Sequence, residues 1–129
     1  MANHGFTSLE AFVIAENLAQ EIFNISQSFP KEERYSLTDQ IRRSSRSVCS
    51  SLAESYAKRR YPKHFIAKLS DALGENFETI TWLRFARHCH YIDNETYLKC
   101  EEKATQTGKL LNFMIKNPSR FGSLPHKDT

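Results

Sequence analysis

Glycine and proline are scarce, four of each in 129 residues. Few tight turns are therefore available, which disfavours a many-stranded sandwich and favours long helices. No window approaches the roughly 18 uninterrupted apolar residues of a membrane span, so no membrane partner is expected. Residues 1–5 lack a basic region followed by an apolar stretch of signal-peptide length, and a cytoplasmic location is expected. The three cysteines, Cys49, Cys89 and Cys100, are odd in number and never spaced as C-x-x-C, which suits plain thiols in a reducing compartment.

Catalytic signatures are also missing. No Glu-x-x-His occurs, so a di-iron bundle lacks its ligands, and neither common phosphate-cradling glycine loop is present. Ser55-Tyr-Ala-Lys58 spells S-x-x-K, but its companion motifs are absent and the chain is too short for that fold. His88-Cys89-His90 groups three ligand types, yet neighbouring side chains on a helix point about 100° apart and cannot chelate one ion. Histidines near a negative helix end are the simpler account. No catalytic residue, metal or cofactor is expected, and an enzyme is the less favoured reading.

What remains is ordinary globular material, 40% hydrophobic and 26% charged, in one domain's length. Apolar residues recur at steps of three and four. The first helix is expected over 8–27, with Ser8 as N-cap and Leu9, Phe12, Ala15, Ala19, Ile22 and Phe23 inward, widened by Leu18 and Ile25. Phe29-Pro30 breaks it. Ser36-Leu-Thr-Asp39 resembles a capping box opening a second helix to about residue 58, with Ile41, Ser45, Val48, Leu52 and Tyr56 inward. The third is expected over 62–89, with Phe65, Ile66, Leu69, Ala72, Leu73, Phe77, Ile80 and Leu83 as its stripe. The fourth begins at an Asp93 N-cap and ends at Asn117-Pro118, with Tyr97, Cys100, Ala104, Gly108, Leu111 and Ile115 inward. Residues beyond 121 are expected to form a mobile tail. Four amphipathic helices joined by short links predict an all-α fold, an antiparallel up-down-up-down four-helix bundle.

Charge is unevenly spread. Between residues 42 and 70 stand eight basic residues (Arg42, Arg43, Arg46, Lys58, Arg59, Arg60, Lys63 and Lys68) against one acid, Glu54, in a chain of net charge only +3. Such a field makes polyanionic partners worth considering.

The run 35–48, Tyr-Ser-Leu-Thr-Asp-Gln-Ile-Arg-Arg-Ser-Ser-Arg-Ser-Val, followed by Leu52-Ala53-Glu54, resembles the signature of a bacterial four-helix-bundle family. That family is named for proteins encoded in intervening sequences of 23S ribosomal RNA genes, and it includes the accessory variability protein of diversity-generating retroelements. Ala72-Leu-Gly74-Glu-Asn-Phe-Glu78 is similar to the family's Ala-x-Gly-x-x-x-Glu stretch, and Tyr91-Ile92 to its turn before the last helix. The likeness spans about 8–117. Where relatives commonly carry Asn-Ile-Ala-Glu-Gly, this chain has Ser51-Leu52-Ala53-Glu54-Ser55. The resemblance implies a homo-oligomeric bundle, often a pentameric ring, without known enzymatic activity. For the retroelement relatives it also implies binding to nucleic acid and to a reverse transcriptase.

On a helical wheel with Arg42 at zero, Arg46 falls at about 40° and Arg43 at about 100°, apart from the apolar arc between about −120° and −40°. Arginine forks match phosphate oxygens, so an RNA or DNA backbone is a sensible ligand for this face. The competing reading pairs the arginines with Asp71, Glu75 and Glu78 of the third helix, within a subunit or across a contact. The corner holding Lys58, Arg59, Arg60, Tyr61, Pro62, Lys63 and His64 has only Glu54 as an acidic neighbour. Trp82 and Phe85 project at about 220° and 160° from Leu69, opposite the expected stripe, and are expected to form a self-association face. The preferred function is a homo-oligomeric bundle that meets nucleic-acid phosphates through its basic second helix and the corner after it. The alternative is a scaffold whose arginines join subunits or grip an acidic protein.

Overall fold

The computed structural model describes residues 5–123. Four long helices carry the chain: α1 (Glu10–Ser26), α2 (Leu37–Ala57), α3 (Pro62–His88) and α4 (Asn94–Lys116). Short 3-10 turns flank them at Phe6–Ser8, Lys31–Glu33 and Pro118–Phe121, and no strand occurs among the described residues. Each helix packs on its neighbours in sequence and α1 also packs on α4, which closes a square; across the diagonals, α1–α3 and α2–α4, no Cα atoms come within 8 Å.

Two hydrophobic clusters establish the helix directions. One gathers the second half of α1 (Leu18, Ile22), the first of α2 (Leu37, Ile41), the second of α3 (Leu83, Ala86) and the first of α4 (Tyr97, Cys100, Ala104). The other gathers the opposite halves: Phe12 and Ala15, Val48 and Leu52, Phe65 and Leu69, Leu111 and Met114. Consecutive helices therefore run antiparallel, as the up-down-up-down expectation required.

Between the clusters lies a buried polar belt of Ser44, Ser45, Asn76, Thr79 and Thr107. Its hydroxyls are largely satisfied along their own helices: Thr79 donates to the Glu75 carbonyl and Thr107 to that of Lys103, each at 2.9 Å. Across helices, Ser44 and Thr79 share a 2.9 Å bond and Asn76 Nδ2 donates to the Ala104 carbonyl at 2.8 Å. Gly108 lies beside that amide, where a Cβ would sit 3.4 Å from Asn76 Nδ2 in ordinary van der Waals contact. The cysteines are free, and burial pushes the Cys49 thiol up to about 11, with help from Glu16, and Cys100 to about 12.

Several expectations shift. Ser8 does not cap α1; its hydroxyl donates back to the Gly5 carbonyl at 2.8 Å and Leu9 holds the N-cap position. The α1 core is centred on Ala11, Ala15, Leu18 and Ile22, leaving Ala19 and Phe23 on its flank. Ser36 precedes α2 without capping it. Glu33 does that work from the preceding turn, accepting from the Leu37 N–H at 3.3 Å and the Ser36 hydroxyl at 2.6 Å. Phe77 is 59% exposed, because the α3 stripe runs through Asn76 and Thr79 and leaves Phe77 about 120° from its centre. Asp93 caps α4 as expected, accepting from the Thr96 N–H at 2.7 Å. Gly122 turns back at φ 90° and Ser123 is buried; residues 124–129 of the expected tail lie outside those described.

Candidate nucleic-acid interface

The eight cations divide into three settings. Arg43 belongs to the ion-pair reading: its guanidinium donates to Glu75 at 3.1 Å and Glu78 at 2.6 Å on α3. Lys68 is likewise engaged, with Glu54 at 3.0 Å and Asp71 at 3.8 Å, and the bond it donates to Glu54 is the chief cause that raises its ammonium's pKa. Asp71 thus meets Lys68 and not an arginine. The other six cations have no carboxylate within 4.0 Å among the described residues.

Arg42 and Arg46 turn towards α1, where Phe23 lies beneath both guanidinium groups at 4.7 Å and 5.4 Å from its ring centroid. Arg42 also donates through Nε to Ser26 Oγ at 2.8 Å. A shallow groove of about 200 Å³ opens beside Arg46, lined by Glu16, Ala19, Gln20, Phe23 and Cys49. The three arginines therefore do not form one face. Buried Ser44 and Ser51 extend the inner arc of α2 towards α3, so Arg42 and Arg43 end on opposite flanks of it.

The third setting is the link between α2 and α3. Proline at residue 62 requires an extended residue before it, and Tyr61 obliges with φ −112° and ψ 97°. Its N–H donates to the Lys58 carbonyl and its own carbonyl accepts from the Phe65 N–H, both at 2.9 Å. Arg59 is folded back: its guanidinium stacks 4.0 Å from the Tyr56 ring centroid and donates to the Tyr56 carbonyl at 2.9 Å. Gly122 leaves room for its stem, since a Cβ there would meet Arg59 Cδ at 3.2 Å. Lys58, Arg60 and Lys63 instead stand exposed. The first turn of α3 has neither a side-chain cap nor an acidic residue, so the positive end of its dipole adds to theirs. Tyr61, 59% exposed, sits among them with His64 edge-on at 6.1 Å.

The expected aromatic contact site is only half outward. Trp82 packs against the first hydrophobic cluster and its Nε1 is buried without an acceptor, whereas Phe85 is 52% exposed. The inner stripe of α3 is centred about 40° from Leu69, which puts Trp82 on its flank and Phe85 opposite. The two rings lie 6.1 Å apart and help line a groove of about 280 Å³ with Glu33, Ser36, Leu37, Gln40 and Cys89.

His88-Cys89-His90 is a helix stop. His90 takes φ 60°, its N–H donates to the Arg87 carbonyl at 3.0 Å, and the Tyr91 N–H reaches the Ala86 carbonyl at 2.9 Å, a Schellman closure. Among the described residues no three His, Cys, Asp or Glu side chains converge as a metal site would need. Ser55 of the S-x-x-K string is buried and donates to the Leu52 carbonyl at 2.7 Å. No helix among the described residues is long and apolar enough to cross a membrane.

Sequence reasoning missed Phe23 as a platform for two arginines and Glu33 as the cap of α2, and it placed Tyr61 in the basic corner without giving the ring a role. The Phe-x-x-Ser spacing of Phe23 and Ser26 at the end of α1 carried no recognisable signal. Glu33 three residues before Ser36 did, since a carboxylate just ahead of a helix is favoured there.

Fold and surface together define an antiparallel four-helix bundle with a basic corner. The family described as 23S rRNA-intervening sequence protein matches residues 7–113, and the chain belongs to it. A solved structure similar to this one is that of a protein of unknown function from the S23 ribosomal protein family of Bacteroides thetaiotaomicron. It is 29% identical, with a TM-score of 0.74, and the match covers 82% of this chain and 95% of that one. No curated protein matches.

Proposed function

We propose that this protein is a non-enzymatic, self-associating bundle in the cytoplasm that binds nucleic-acid backbone through its α2–α3 corner. The observation that carries this reading is the cluster of exposed Lys58, Arg60 and Lys63, with no carboxylate partner among the described residues, at a helix start that is itself positive. Phosphate oxygens are the complementary chemistry, and neutralising them releases counterions. Arg42 and Arg46 form a second, smaller cationic strip along α1. Arg43 and Lys68 fall outside the contact set, their charge already being met within the chain.

The test is a fluorescence-anisotropy titration against structured RNA at low and moderate salt. Affinity should fall steeply with salt, and replacing Lys58, Arg60 and Lys63 with Gln should lower both the affinity and the salt slope. Absence of binding at low salt ends the reading. Half-exposed Phe85 beside its groove favours the self-association component. In the scaffold alternative, the arginines join subunits or grip an acidic protein. Binding to protein that survives nuclease treatment, with no affinity for RNA, distinguishes it.

A further inference from the structure

Resting on that reading of the corner, we infer that Tyr61 is a stacking platform for an unpaired base, so that the partner is single-stranded nucleic acid. Phosphate contact draws on cations and, from a tyrosine, on the hydroxyl alone; it has no use for the face of the ring. Here a phenol ring is 59% exposed in the middle of the cationic stretch, with Arg60 before it and Lys63 two residues after. Its base is fixed by two backbone bonds of 2.9 Å and by the following proline. His64 meets it edge-on, at 6.1 Å and 88°, a contact that braces a ring without covering it face to face.

The neighbouring aromatic shows the contrast. Tyr56 is covered by the Arg59 guanidinium at 4.0 Å, whereas among the described residues no cation lies over Tyr61. Exposure by itself would not distinguish Tyr61, since Tyr35 is 85% exposed. Tyr35, however, follows Glu32 and Glu33 as well as Lys31 and Arg34, a mixed field that offers a phosphate chain no advantage. In a duplex the base faces are stacked on each other and closed to a side chain. In a single strand they are open, and cations with an interleaved aromatic hold backbone and base together.

The experiment measures anisotropy of a labelled oligouridine strand and of a labelled RNA duplex of equal length, at low salt. It compares the unaltered protein with Tyr61→Ala, Tyr61→Phe and the double variant Arg60→Gln/Lys63→Gln. Tyr61→Ala should weaken single-strand binding roughly 5- to 150-fold, the range for losing one stacked base, while duplex binding and the salt slope stay unchanged. Tyr61→Phe keeps the ring and should bind as the unaltered protein does. The double variant should weaken both ligands and flatten the salt slope. If Tyr61→Ala has no effect, or weakens strand and duplex alike, the stacking inference is wrong while backbone binding stands. If the unaltered protein binds neither ligand, the backbone reading fails and takes this inference with it.

Discussion

Replacing Arg43 with Gln separates the two uses of arginine on α2. The Arg43 guanidinium reaches Glu75 and Glu78 at 3.1 Å and 2.6 Å, and the side chains are 42%, 24% and 41% exposed. Water screens pairs so exposed, and each is worth about 0.2–1 kcal/mol, so the two together should contribute about 1 kcal/mol. Unfolding followed by circular dichroism should show Arg43→Gln lowering the midpoint by about 3–5 °C for a domain of this size. A double-mutant cycle with Glu78→Gln should return a coupling of about 0.5 kcal/mol that fades in 1 M salt, where the screening length is only about 3 Å. RNA binding should be nearly untouched, whereas Lys63→Gln should remove close to one counterion from the salt slope. The reasoning is refuted if Arg43→Gln melts like the unaltered protein yet loses RNA affinity as Lys63→Gln does.

Phe85→Glu should reduce the assembly size seen by light scattering while changing monomer stability by no more than about 0.5 kcal/mol, as a half-exposed side chain allows; an unchanged assembly would exonerate that face. His90→Gly should stabilise the fold by about 1 kcal/mol in urea unfolding, because glycine adopts the φ 60° of this helix stop without steric cost. Glu33 has its pKa held below 4.5 chiefly by the Ser36 hydroxyl and then by Tyr91. A depressed folded-state pKa gives stability that is complete above 4.5 and lost as pH falls through the folded value, so Glu33→Gln should flatten the acid limb of a stability–pH curve. In dilute folded protein, iodoacetamide at pH 8 should modify exposed Cys89 and spare Cys49 and Cys100, with mass spectrometry counting adducts before and after unfolding.

Helix number, order and most boundaries were legible because they depend on local chemistry: Pro30 and Pro62, the Asp93 cap, and spacings of three and four. Azimuth was less legible. A wheel centred on large side chains overlooks the burial of small ones, here Ser44, Ser51, Ala11 and Ala86. In α1 that error put Phe23 inward, when it flanks the core under two arginines. In α3 it put Trp82 fully outward and Phe77 inward. The charged corner was legible as composition, but its partition was not. Whether a cation is spent depends on which carboxylates the neighbouring helix presents, and Glu54 reaches Lys68 only because α2 and α3 lie side by side.

The polar belt bears on how firmly these surfaces are held. Sliding one helix by a turn, about 5.4 Å, would carry belt residues into the leucine layers and separate Asn76 from the Ala104 carbonyl. Leaving a buried amide unmatched costs about 1–3 kcal/mol, so the belt penalises slipped packings that uniform leucine layers would tolerate. The two cationic regions depend on that register unequally. Arg42 and Arg46 rest on Phe23 and Ser26 of another helix, so their strip exists only in the correct register. Lys58, Arg60 and Lys63 are held by a four-residue link and the turn of Pro62, so their corner forms wherever α2 and α3 pair. A surface built on such a link tolerates changes elsewhere in the bundle, which is why the proposed nucleic-acid contact is assigned to the corner more than to the arginine-rich helix face.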